Sequence, residues 1–254
     1  DLHRIIRRQR KMCIRDRLKT IEQIAESFKP WNPGTELTVG LFSSVVPEFD
    51  ERAFREALVN AFGHRDYSLL GRVRVLVDDA GLTIANPGGF VEGINVHNLL
   101  TAEPRGRNPC LMDALKRTGL AERTGRGIDR IFEGALNYGR PLPDYSRSNR
   151  RGVSVLLPRS VPDKAFVELL AEERERSGKS MSLDGLLILD KLKSERRCGF
   201  DVLSGSLDMS DQRLRTVLGQ LTEAGLVESA GVGARRTYML LSLIHISEPT
   251  RHAQ

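Results

Sequence analysis

Two spacings of apolar residues divide the chain. Phe54, Leu58, Ala61 and Phe62 recur at helical spacing behind Asp50, which is placed to cap the helix they predict. Thr35 to Pro47 is rich in β-branched residues and ends at a proline, the pattern of a strand or extended chain. Val73, Val75 and Val77 alternate with Arg72, Arg74 and Leu76, Asp78 to Gly81 make a turn, and Leu82 and Ile84 continue the return strand. That pattern predicts a hairpin. Phe90 to Arg107 shows little periodicity and a scatter of Gly, Asn and Pro, and reads as a long mobile loop of the kind that carries function. Asn108-Pro109 opens a helix as N-cap and first-turn proline. "ERTGRGIDRIFEGAL" is a glycine-punctuated turn into another helix, and "GVSVLLP" is a further strand. Helices and strands alternating loosely around a central hairpin predict an α/β sandwich over residues 18–160. Residues 161–182 are charged and read as a linker, and a separate pattern of three helices and a hairpin runs from 183 to 240.

Composition suggests a partner and then withdraws it. The chain holds 39 Lys and Arg against 33 Asp and Glu, a balance that invites nucleic acid. Met12 to Asp16, however, back-translates to ATGTGTATAAGAGAC, which resembles the transposase end used to make sequencing libraries. Leu241 to Arg251 ("LSLIHISEPTR") resembles the reverse complement of that end, read on into its adapter. Residues 1–17 and 241–254 are therefore read as translated adapter and set aside. They hold seven and one of the basic residues, so the remainder is nearly balanced and overall charge argues for no partner. The roughly 220 residues left suit one medium domain plus a small one, expected to be a fragment of a longer protein. Cys110 and Cys198 lie far apart without metal spacing, and no apolar run is long enough for a membrane span, which predicts a cytoplasmic location.

Chemistry gathers in "REALVNAFGHRDYS", residues 55–68. Glu56 and Asn60 are four apart and so about 40° apart around a helix, opposite the apolar stripe. Ala53 and Gly63 flank them and leave space for a ligand. A carboxylate there can orient and deprotonate water, and a carboxamide oxygen can take one position on Mg²⁺. Spacing alone favours a solvated helix face. Two glycine motifs downstream shift the balance: Asn86-Pro87-Gly88-Gly89 ends the hairpin, and Gly125-Arg126-Gly127 opens a helix, where backbone N–H groups can meet phosphate. His64, Arg65 and Asp66 fit an ion-paired helix end or a face toward a ligand. "RSGKS" (Arg176 to Ser180) is no P-loop, since Glu173 stands where the first glycine is needed and no buried strand precedes it.

Together "EALVNAFGHRDYS…IANPGGF…RNPCLMDAL…ERTGRGIDRI" resembles the nucleotide-binding domain of the GHKL superfamily of gyrase, histidine-kinase and mutL-type ATPases. More narrowly it resembles the branch in bacterial transcriptional regulators labelled RecG-like or Schlafen-type, over roughly residues 20–160. The resemblance implies a Bergerat-type α/β sandwich that binds ATP with Mg²⁺. It makes Glu56 the general base, Asn60 the Mg²⁺ ligand, Asn86, Gly88 and Gly89 the base-binding segment, Gly125 and Gly127 the phosphate glycines, and Phe90–Arg107 the lid. Asn86 stands where the superfamily carries aspartate. A carboxamide still accepts from an adenine amino group, without the strengthening charge.

From Leu183 the order helix, helix, helix, hairpin is that of a winged helix. Leu214, Val217, Leu218 and Leu221 fall at i, i+3, i+4 and i+7 and face the core, so Gln212, Arg213, Arg215 and Thr216 point outward near the start of the third helix. Arg235 and Arg236 lie in the wing, placed for phosphate or the minor groove. The chain is thus expected to be an ATP-binding, double-stranded-DNA-binding transcriptional regulator, a homodimer in which nucleotide controls DNA binding. The rival readings are an active Mg-dependent ATPase and a nucleotide-free winged-helix scaffold.

Overall fold

The structure, a computed structural model, describes residues 2–39, 42–121 and 125–241. The chain divides into two compact units, one of residues up to 135 with 140–162, the other of 136–139 with the residues from 163 onward.

The first unit opens with α1 (Leu2–Phe28), then β1 (Gly34–Val39) and β2 (Phe42–Pro47). β1 and β2 pair antiparallel, so the stretch that reads as a single extended segment is a hairpin. α2 (Glu51–His64) comes next, capped as expected: Asp50 Oδ1 accepts from Arg52 N and Ala53 N, both at 2.9 Å. Such a cap contributes about 1 kcal/mol. The other end of α2 is tied from a distance. Asn108 Nδ2 donates to Gly63 O at 2.9 Å and Arg65 O at 2.8 Å, filling carbonyls that the helix cannot satisfy itself. Asn108 does stand before α3 (Pro109–Arg117), but its side chain makes no cap there.

The predicted hairpin is β3 (Arg74–Asp78) and β4 (Gly81–Pro87), and β5 (Gly152–Pro158) adds to β4 to give an antiparallel sheet of order β3-β4-β5. Leu82, Ile84, Val155 and Leu157 are buried on one face. By alternation Arg74, Leu76, Thr83, Ala85, Ser154 and Leu156 share the other. α2 packs on β4 and on α3, and Leu58 of α2 is fully buried, a burial that contributes roughly 1.5–3 kcal/mol. Phe28 of α1 stacks on Phe54, ring centroids 4.0 Å apart. α4 (Gly127–Leu136) completes the layer, with Gly134 so close to α2 that a Cβ on it would lie 2.6 Å from that of Ala53. Residues 90–106 take no regular helix or strand.

The second unit begins with a correction. The stretch read as a linker contains α5 (Lys164–Ser177), capped by Asp163 and closed by Gly178 in the left-handed region at φ 69°. "RSGKS" is therefore a helix C-terminus, as expected of a segment that is no P-loop. α6 (Leu183–Glu195), β6 (Arg197–Gly199), α7 (Phe200–Ser206), α8 (Asp211–Glu223), β7 (Val227–Ala230) and β8 (Thr237–Leu240) complete the unit, with sheet order β6-β8-β7. Ile188, Leu189 and Leu192 of α6 share a core with Leu203, the four predicted residues of α8, and Phe166 of α5. Of the segments read as adapter, Asp1 and 242–254 lie outside the described residues.

Candidate functional site: a cavity between helix α2 and the start of helix α4

A cavity of about 410 Å³ opens in the first unit. Its base is Ile84 and Asn86 of β4 with Val153 and Val155 of β5. Glu56, Ala57, Asn60, Ala61 and His64 of α2 form one wall, and Gly125, Gly127 and Asp129 another. Phe90, Val91, Ile94, Leu99 and Leu100 of the irregular segment cover it. Apolar walls with a few converging polar groups are the usual make-up of a small-molecule site.

Glu56 is 5 % exposed, so it does not belong to a solvated face. Its carboxylate lies against the start of α4, where a Cβ on Gly127 would meet Oε1 at 2.0 Å. Gly127 is small because Glu56 occupies that space. Asn60, one turn on, is half-buried and lines the same cavity. The room beside the pair comes from Ala57 and Ala61. Ala53 and Gly63, the expected flanks, meet protein instead: Ala53 lies against Gly134, and a Cβ on Gly63 would lie 2.0 Å from Met112 Sδ.

Asn86 is 6 % exposed and lines the cavity. Its Nδ2 donates to Pro87 O at 3.1 Å and Gly88 O at 3.5 Å, which leaves Oδ1 as the atom to offer a ligand. Gly89 lines the cavity; Gly88 does not. At φ +94°, Gly88 is packed under Asp66 and Arg107, whose Nη1 would lie 2.0 Å from its Cβ. That position is demanded by close packing and a left-handed backbone. Gly125, at φ +80°, lines the cavity beside Pro104.

The "HRD" triplet divides. His64 faces the cavity, where burial first and the Arg107 guanidinium second hold its imidazole below the ordinary value. Arg65 Nη2 donates to Leu69 O and Gly71 O at 3.2 and 2.8 Å, pinning the turn after α2. Asp66 accepts from Ser68 Oγ and N, which hold its carboxyl low, and lies 3.7 Å from Arg107 Nη1.

The cavity also holds an aromatic residue that escapes sequence reasoning. Tyr145 is 5 % exposed between Phe90 and Phe132, with ring centroids 6.3 and 6.5 Å away. Burial, and secondarily the Glu56 carboxylate, push its phenol up, so it stays a neutral donor. Its isolated place in "PLPDYS" carries no periodic signal.

In the second unit, Gln212, Arg213, Arg215 and Thr216 are exposed on α8 as expected. Three have partners within the unit. Arg213 forms a two-point ion pair with Asp184, Nη2 to Oδ1 at 2.9 Å. Arg215 lies over the Phe200 ring at 4.5 Å and 3.6 Å from Asp211. Thr216 Oγ1 donates to Gln212 O at 2.9 Å. Arg235 and Arg236 are exposed between β7 and β8.

Residues 71–157 match an ATPase-like family model described as "Putative ATP-dependent DNA helicase recG C-terminal". The match takes in Asn86 to Gly89, the irregular segment and Gly125 to Gly127, and begins after Glu56 and Asn60. No curated protein matches the chain. Among solved structures it is similar to the DIP2311 protein from Corynebacterium diphtheriae, with a TM-score of 0.73 at 24% identity over 88% of this chain. The chain spans 46% of that protein's chain, about half its length. Among the described residues no helix is long and apolar enough to cross a membrane. Over residues 71–157 the first unit is therefore similar to an ATPase-like domain, a likeness that points to nucleotide binding.

Proposed function

We propose that the chain is part of a transcriptional regulator that binds ATP in the cavity of its first unit and double-stranded DNA through its second. The first unit is read as a GHKL-type sandwich and residues 183–240 as a winged helix. The observation that carries the nucleotide reading is the buried Glu56 carboxylate, held against Gly127 at the start of α4 in a cavity that also takes in Asn60 and Asn86.

In this reading Asn86 Oδ1 accepts from the amino group of the base. Backbone N–H groups around Gly125 and Gly127 meet the phosphates, where the α4 dipole favours anions. Among the described residues no three His, Cys, Asp or Glu side chains gather as a metal site. A cation held by Asn60, waters and phosphate oxygens fits that composition, and Mg²⁺ binds in this way. The ion would offset phosphate charge. Glu56 would orient and deprotonate water, and the apolar side chains of Phe90, Val91, Ile94, Leu99 and Leu100 would exclude bulk water. Hydrolysis separates from binding by one comparison: phosphate release that falls to background in Glu56→Gln makes the protein an ATPase, and equal rates leave it a sensor.

The cysteines are free thiols, in keeping with a cytoplasmic protein. A homodimer would let nucleotide set how two DNA-binding units are presented. A second reading, docking of protein by the second unit, is favoured by two observations: Arg213 is tied to Asp184, and acids balance bases across 183–240. Duplex binding that falls in Arg235→Gln/Arg236→Gln decides for DNA. The nucleotide reading is tested by thermal shift with ATP, ADP and GTP, with and without Mg²⁺. A rise with Mg-ATP is expected, and the absence of any rise at millimolar nucleotide favours the nucleotide-free scaffold.

A further inference from the structure

Five arginines gather at one end of the first unit's sheet and belong neither to the cavity nor to α8. Arg72 precedes β3 and Arg74 opens it, while Arg147, Arg150 and Arg151 lie in the turn leading into β5. The register brings these segments together. Arg74 pairs with Ala85 and Ala85 with Ser154, which sets Arg74 two strands, about 10 Å, from Ser154. Gly71 lies against Pro87, and Pro87 pairs with Gly152, the neighbour of Arg151. Gly88 N donates to Arg151 O at 2.8 Å, and a Cβ on Gly89 would lie 3.0 Å from Arg150 Cα.

All five side chains are exposed. Among the described residues Arg72, Arg74, Arg150 and Arg151 have no side-chain hydrogen bond or ion pair. The nearby carboxylates are engaged elsewhere: Asp66 with Ser68 and Arg107, Asp144 with Ser146 and close to Arg147. Between the arginines this face of the sheet carries the half-buried Thr83, Ala85 and Ser154, small side chains that raise no bulk between the guanidinium groups.

Unpaired guanidinium groups spread along one end of the sheet suit a polyanion with regularly spaced charges. The cluster is arginine throughout, whose fork takes phosphate by two hydrogen bonds where lysine offers a point charge. We propose that this end of the sheet binds the phosphate backbone of a nucleic-acid duplex, without reading its sequence. None of the five arginines lines the nucleotide cavity or belongs to α8, and the proposal rests on neither. Exposed Leu69 and Leu70 in the adjoining turn are what an anionic membrane would use instead.

The test is fluorescence anisotropy of the full chain without nucleotide, on two duplexes of unrelated sequence, between about 50 and 200 mM salt. Arg72→Gln/Arg74→Gln and Arg150→Gln/Arg151→Gln are made separately on two distant segments, and all four positions are exposed, so the fold is retained. Each pair is expected to reduce the slope of log K against log salt by about 2, near 0.9 per phosphate contact, equally on both duplexes. Unchanged slopes in both pairs, with binding lost only in Arg235→Gln/Arg236→Gln, overturn the proposal. So does a wild-type chain that ignores duplexes and binds phosphatidylglycerol vesicles.

Discussion

The carboxylate of Glu56 fills the space that any side chain on Gly127 would need, with Oε1 2.0 Å from where that Cβ would stand. Seventy-one positions separate the two in sequence. Their contact joins the middle of α2 to the first residue of α4 and fixes the polar end of the cavity.

Gly127→Ala should therefore be destabilising although its backbone is of a kind that alanine adopts. A Cβ there forces Glu56 aside, at a cost of about 1–3 kcal/mol. Removing the obstacle should restore much of this. Glu56→Ala/Gly127→Ala is expected to be more stable than the sum of its single changes, and urea unfolding of all four proteins measures that coupling. Additive effects would mean the two residues do not touch.

Gly88→Ala should behave differently. At φ +94°, beneath Asp66 and Arg107, alanine meets both backbone strain and a collision, and the loss should reach about 1–3 kcal/mol or more. Because Gly88 stands outside the cavity, nucleotide affinity measured well below the melting temperature should stay within about threefold of wild type. A selective loss of affinity would return Gly88 to the ligand.

His64 gives a pH dependence with a definite sign. Its pKa is lowered in the folded protein from the ordinary 6.5 by burial first and Arg107 second. Between the two values the unfolded chain binds more protons, so stability is full above about pH 6.5 and falls as pH drops through the folded pKa. Melting temperatures from pH 8 to pH 5 should decline in wild type and decline less in His64→Gln. Identical profiles would show that His64 is as solvated folded as unfolded.

Asp184 competes with any phosphate for Arg213. Both side chains of this pair are partly solvated, so Asp184→Asn should cost stability by no more than about 1 kcal/mol. If α8 meets DNA, the released guanidinium should tighten duplex binding, read by anisotropy. Unchanged affinity would remove Arg213 from the interface.

What the sequence discloses depends on how local the determinants are. Asp50 and the stripe beginning at Phe54 place α2, and the alternation from Val73 to Ile84 places the hairpin, because capping and one-sided burial are written within a few residues. Glu56, Asn60, Asn86, Gly89, Gly125 and Gly127 fall around one cavity as their motifs suggest. α5 escapes because Phe166 is its only fully buried residue and the rest reads as charge. The small residues that open the cavity, Ala57 and Ala61, lie within an apolar run where their purpose depends on a sheet more than twenty residues away. Asn108 looks like the cap of its own helix, but its amide serves carbonyls of Gly63 and Arg65 forty-three and more residues earlier. Tyr145 and Gly88 are likewise explained by partners that only tertiary packing supplies.

The most direct measurement is calorimetric titration of Mg-ATP into wild type and into Ala61→Leu. The Ala61 side chain carries no charge and makes no hydrogen bond, and the larger leucine enters the cavity from the α2 wall. Saturable binding of Mg-ATP to wild type, abolished in a folded Ala61→Leu, is the expected result. Binding that survives with unchanged affinity would contradict the assignment of this cavity as the nucleotide site.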